Sequence, residues 1–132
     1  MLGDYIDDLD PNQSLDWNNR DFRGIPELRD HVLRQAGLTG ICKQEDVLIT
    51  AGAAEANYLT IMQLLLPGDE IVIETPGWPQ AEVLARSIGA KIVKVTRRED
   101  DGWQLPLDKV VEAVTSKTKM IFISNPNNPT GA

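Results

Sequence analysis

Apolar residues recur along this chain in two rhythms, one helical and one strand-like. After Gly24, residues Ile25, Leu28, Val32 and Ala36 fall at helical spacing. Pro26 stands where a first helical turn tolerates it, and Gly37 is placed to stop the helix, so the pattern predicts an amphipathic helix over 26–36. Leu38 to Glu45 reads as a connection. Short apolar runs then predict strands at 47–50, 70–74, 91–96 and 119–123. Between the first two runs, residues 53–66 are apolar almost all round, as in a helix packed on both sides, and Pro67-Gly68 ends it. Ala81, Leu84, Ala85 and Ile88 mark one face of a helix closed by Gly89, and Leu107, Val110, Val111 and Val114 mark the face of another. Strands alternating with helices of this size predict crossover units and a parallel or mainly parallel sheet, the α/β class.

Met1 to Arg23 keeps neither rhythm. It is acidic, with Asp4, Asp7, Asp8 and Asp10, and Pro11, Asn12, Asn18 and Asn19 suggest loops. Tyr5, Trp17 and Phe22 call for burial against something this segment does not supply. The organisation expected is an irregular segment over 1–23 followed by one α/β body over 24–132.

Composition adds limits. The 132 residues have the length of one ordinary domain. Thirteen lysines and arginines against 20 acids give 13 − 20 = −7, which argues against a general nucleic-acid or anionic-membrane binder. A small anion site built from backbone groups stays open. One cysteine, Cys42, without metal-ligand spacing around it, fits a reducing cytosol, and the single histidine, His31, in a helix-like stretch, reads as an ordinary surface or boundary residue rather than a catalytic one. No basic-then-apolar leader opens the chain, and no apolar run approaches the roughly 18 residues of a membrane helix. A cytoplasmic protein is expected.

Candidate chemistry collects at three strand ends, where open α/β sheets place their ligands. Thr50-Ala51-Gly52-Ala53-Ala54 runs from a strand into a helix through small residues. Unsatisfied amides and the helix dipole at such a start suit a phosphate, and small side chains let it approach; a tight turn kept small for packing is the other reading. Thr75-Pro76-Gly77-Trp78-Pro79 follows the next strand, and a tryptophan fixed between prolines either presents its face to a flat ligand or caps the core. Trp103, in Asp101-Gly102-Trp103, reads as a packed turn residue.

The last of the three, Ser124-Asn125-Pro126-Asn127-Asn128-Pro129-Thr130-Gly131, is a rigid turn after an apolar strand. An asparagine amide held by prolines can donate to a ligand oxygen without adding charge, while Asx-turns would use one or two of these asparagines structurally. A phosphate cradle, an aromatic face and a neutral donor together describe a phosphorylated aromatic cofactor better than a free sugar or an acyl group.

The residues Gly24-Ile25-Pro26-Glu27-Leu28-Arg29, Thr50 to Ala56, Pro67-Gly68-Asp69-Glu70, Thr75-Pro76-Gly77-Trp78 and Asn125 to Gly131 carry a resemblance. In that order they resemble the class I/II aminotransferases, the fold type I family that uses pyridoxal 5′-phosphate. The resemblance implies that the amides of Ala53 and Ala54 hold the cofactor phosphate, with Gly52 shaping the turn. It implies that Trp78 stacks on the pyridine ring and Asn128 donates to the ring's phenolic oxygen. Glu27 and Arg29 match a motif that looks structural. Where relatives carry a tyrosine that reaches the partner subunit's phosphate, this chain has Trp17 and Asn19 nearby.

The same resemblance places the cofactor-bearing lysine, the aspartate for the pyridine nitrogen and the arginine for the substrate carboxylate beyond the Asn-Pro-Thr-Gly turn. Lys43, Lys91, Lys94, Lys109, Lys117 and Lys119 match none of those positions, so no catalytic residue is assigned. The expectation is a partial large domain of an aminotransferase, inactive alone, from a family that moves amino groups between amino acids and 2-oxo acids, typically as homodimers. A β-lyase or an aminocyclopropane carboxylate synthase-like enzyme shares these motifs. A transcription regulator with an aminotransferase-like sensing domain would add a DNA-binding region upstream.

Overall fold

The computed structural model describes residues 21–132, which fall into two compact units that divide between Thr50 and Ala51. The readings made on Tyr5, Trp17 and Asn19 lie outside the described residues. No helix among the described residues is long and apolar enough to cross a membrane.

In the first unit, helix α1 spans Pro26–Gln35, with Pro26 in its first turn as expected. The face it buries is not the one that the spacing marked. Leu33 and Arg29 are buried, while Ile25, Leu28 and Val32 stay exposed. The cause is electrostatic. Arg29 donates to Asp21 Oδ2 at 3.0 Å and to the Gln44 carbonyl at 3.4 Å, and this draws its guanidinium inward. Hydrogen bonds from the side chain and backbone of Arg23 hold the Asp21 carboxyl down at about 2. Phe22 remains 88% exposed, with the Arg23 guanidinium 5.8 Å from its ring centre. His31 is exposed. A short 3₁₀ turn, Gln44–Asp46, stands in the expected connection. The strand expected at 47–50 does not form. Val47 is extended, but the stretch has no ladder among the described residues; Ile49 donates to the Arg23 carbonyl and Val47 to the Gln44 carbonyl.

The second unit is α/β. Helices α2 (Ala53–Leu64), α3 (Gln80–Ile88) and α4 (Leu107–Ala113) alternate with strands β1 (Glu70–Thr75), β2 (Lys91–Thr96) and β3 (Thr118–Phe122). The strands pair in the order β2-β1-β3, all parallel, so the expected sheet is present. Val72, at its centre, stands between Val93 and Ile121. Glu70 through Glu74 are all buried, as a central strand covered on both faces requires. Ile71 and Ile73 point to one face, where they pack with Ile61 and Leu65 of the α2 region and with Ala81 and Ala85 of α3.

Two helices depart from their predicted packing. Within α2 only Ile61 is buried, and Tyr58, Leu59, Met62 and Leu64 are exposed. Its all-round apolar surface meets α3 and the sheet on one flank, and the described residues of this unit do not cover the other. In α4 the side chains of Leu107 and Val111 are exposed, as is Val114 just beyond it, and Val110 turns inward. A seven-residue helix has too few turns to bury a stripe that wide.

Candidate functional site

Parallel strands bring Thr75, Thr96 and Phe122 to one edge of the sheet. Two of the three candidate turns leave that edge directly, after β1 and after β3. The third, at the start of α2, is tied to the β1 turn by side chains.

Gly52 is the cap residue of α2, with φ 86° and ψ 172°. That backbone conformation suits glycine, and open space lies where a Cβ would stand. Ala53 and Ala54 follow as the first two helical residues, both exposed. Their amides begin a helix and have no acceptor among the described residues. Glu55 reaches back to accept from the Ala51 amide at 2.5 Å, which fixes the turn and sets a carboxylate beside it.

Trp78 lies in the turn between β1 and α3 and is 52% exposed, so it does not cap the core. Gly77 beneath it allows a close approach: a Cβ there would stand 2.8 Å from the Glu74 carbonyl oxygen. Glu74 itself is buried and holds this corner. Its Oε1 accepts from the Ser124 amide at 2.7 Å, and its Oε2 from Arg97 Nε at 2.8 Å. Arg97 also donates to the carbonyl of Trp103 at 2.7 Å, and Trp103 lies in a turn, half-buried.

The asparagine turn divides its work between neighbours. Asn127 is 3% exposed and wholly engaged. Its Nδ2 donates to the Pro76 carbonyl at 3.2 Å, while its Oδ1 accepts from the Thr130 amide and hydroxyl at 3.2 and 2.7 Å. Asn128 is exposed, with its amide given no such duty. The peptides before Pro76, Pro126 and Pro129 are cis.

Sequence reasoning missed three structural members of this site: Glu74, Asn127 and Gln80. Gln80 Nε2 donates to the Ala54 carbonyl at 2.8 Å, and its Oε1 accepts from Asn57 Nδ2 at 3.2 Å. The signal for Glu74 was a charged residue inside an apolar strand, followed 23 positions later by an arginine. Gln80 and Asn57 gave no comparable signal.

Away from these turns, between β2 and α4, an open groove of about 810 Å³ is lined by Lys94, Arg98 and Lys109 against Asp101, Asp108 and Glu112. Balanced charge gives it no preference for an anion. No cluster of His, Cys, Asp and Glu suited to a metal occurs among the described residues.

The α2 start with its open amides, the exposed indole of Trp78 and the exposed Asn128 all belong to the second unit, where Gln80 and Asn127 tie the turns that bear them. Residues 18–132 match the family model described as aminotransferase class I and II. The chain belongs to the class I and II aminotransferases. An aspartate aminotransferase of Pyrococcus horikoshii is 40% identical over 111 residues, which cover 83% of this chain and 28% of that protein. A probable aspartate/prephenate aminotransferase of Aquifex aeolicus is 37% identical over the same shares. Among solved structures, an alanine aminotransferase from Pyrococcus furiosus superposes with a TM-score of 0.77 at 36% identity, over 86% of this chain and 29% of that one. A PLP-dependent aminotransferase from Streptococcus suis gives 0.80 at 30% identity, over 98% and 33%. This aminotransferase chain therefore spans about three-tenths of the length of those relatives. Pyridoxal 5′-phosphate is the cofactor of the family.

Proposed function

We propose that this chain holds pyridoxal 5′-phosphate at the carboxyl edge of its sheet, as part of an enzyme moving amino groups between an amino acid and a 2-oxo acid. The observation that carries the reading is the gathering of three unlike groups along one edge: the α2 amides, the Trp78 face and the Asn128 amide. The amides of Ala53 and Ala54, with the positive end of the α2 dipole behind them, bind the phosphate. Gly52 leaves room for the phosphate's approach. Trp78 orients the ring by stacking and keeps water from one side of it. Asn128 donates a hydrogen bond to the phenolic oxygen and adds no charge. When bound, the cofactor supplies an electron sink for bonds at the α-carbon of an amino acid.

No lysine of the second unit is positioned to act as the base. Lys91, Lys117 and Lys119 lie at the amino end of the sheet, with Lys91 bonded to Glu70. Lys94 pairs with Glu82 and Lys109 with Glu112, and Lys43 stands in the first unit beside Glu45. The isolated chain is therefore proposed to bind cofactor weakly and to be inactive. In the longer enzyme a homodimer is proposed, as is a cytoplasmic setting, with which the lone Cys42 agrees.

Titration of the purified chain with pyridoxal 5′-phosphate tests this reading. Tryptophan fluorescence should be quenched, more readily than by pyridoxal, and Asn128→Ala should weaken binding by about tenfold, the worth of one good hydrogen bond. With amino acids and 2-oxo acids added, no turnover is expected, and borohydride should leave no cofactor attached. Quenching that survives Trp78→Leu would sink the stacking role. Turnover together with covalent attachment at one lysine would sink the claim of inactivity.

A further inference from the structure

We propose that Gln80 is a positioning residue that sets the spacing between the phosphate-binding turn and the ring-stacking turn; this rests on the cofactor reading. Gln80 is the first residue of α3, two positions after Trp78, so its backbone moves with the indole. Its side chain crosses to α2. The Nε2 donates to the carbonyl of Ala54, whose own amide is one of the two proposed to hold phosphate, at 2.8 Å. The Oε1 accepts from Asn57 Nδ2, one turn further along the same helix, at 3.2 Å. Both ends of the amide are used, one as donor and one as acceptor, which fixes its orientation. Asparagine is a methylene too short for that reach, and glutamate would set an acceptor against the Ala54 carbonyl.

The spacing matters because of what the ligand is. In pyridoxal 5′-phosphate the ring and the phosphate are joined covalently, so their separation is set before binding. A site for the whole molecule gains over sites for its parts only if its two turns are held at the matching distance. Gln80 is the described side chain that bonds the helix start of α2 from the segment bearing Trp78. Its duty is the linkage of two subsites, distinct from the strength of either.

That distinction defines the experiment. The full chain and its Gln80→Ala variant are titrated separately with pyridoxal 5′-phosphate, pyridoxal and inorganic phosphate. Tryptophan quenching follows the first two, and amide shifts of Ala53 and Ala54 follow the third. The expected result is a loss of about tenfold for pyridoxal 5′-phosphate with changes under about twofold for each part. Equal losses for all three ligands would mean a damaged turn and overturn the proposal, as would unchanged binding of the intact cofactor. Asn57→Ala, which removes only the donor to Oε1, should give the same pattern at about threefold. It carries the test if circular dichroism finds Gln80→Ala unfolded. Should the unaltered chain bind pyridoxal 5′-phosphate no better than pyridoxal, the cofactor reading fails and takes this inference with it. A normal preference that Gln80→Ala leaves intact sinks the inference alone.

Discussion

Asn127 and Asn128 are adjacent, chemically identical and opposite in duty. The first is buried and spends its amide on Pro76 and Thr130; the second is exposed and offers its amide outward. Asn127→Ala would strand the Pro76 carbonyl and the Thr130 donors, at a cost of about 1–3 kcal/mol in denaturant unfolding. Asn128→Ala should change stability by less than about 0.5 kcal/mol, because no buried partner depends on it. Equal costs at the two positions would contradict this division. The motif itself was legible in the sequence, including the prospect that some asparagines would be structural. Which one faced inward was not, because two like residues in one turn differ only in the direction that the folded backbone gives them. Arg29 shows the same limit. Helical spacing marked Ile25, Leu28 and Val32 for burial, but the acceptors at Asp21 and Gln44 brought a charged side chain inward instead.

At the scale of elements, β1 is a central strand with a buried glutamate at each end. Glu70 accepts from Lys91 and Thr115, and these hydrogen bonds hold its carboxyl below the usual range. Glu74 pairs with Arg97 and receives the Ser124 amide, so it joins the exits of all three strands. Both partners of the Glu74–Arg97 pair are almost wholly buried. Removing one charge leaves the other uncompensated, so Glu74→Ala should cost about 3–5 kcal/mol by chemical denaturation. A loss below about 1 kcal/mol would show that this corner does not bind the strand exits together. Strand and helix order was readable from periodicity because each element carries its own pattern. The stretch at 47–50 carried such a pattern too, yet a strand needs a ladder, and pairing is not written in the residues of one segment.

At the scale of the whole molecule, the sheet among the described residues is paired on both sides at β1 and on one side at β2 and β3. β3 has one paired edge, and beside it Ile121 is 45% exposed and Ile123 is also uncovered. An unpaired, apolar edge of this kind favours association. Light scattering should therefore find concentration-dependent assembly of the isolated chain, and Ile121→Lys should suppress it. Assembly unaffected by that change would place the contact elsewhere. The hydrogen bonds that tie the β3 exit to the β1 corner also impose an order in time. A chain made from its amino end completes α2, β1, α3 and β2 before Thr118 exists, so Gln80 can tie the Trp78 turn to α2 early. Glu74 and Pro76 must wait for Ser124 and Asn127, which lie 50 and 51 positions later. During synthesis the start of α2 and the Trp78 turn are thus drawn together first, and the asparagine turn closes the edge last.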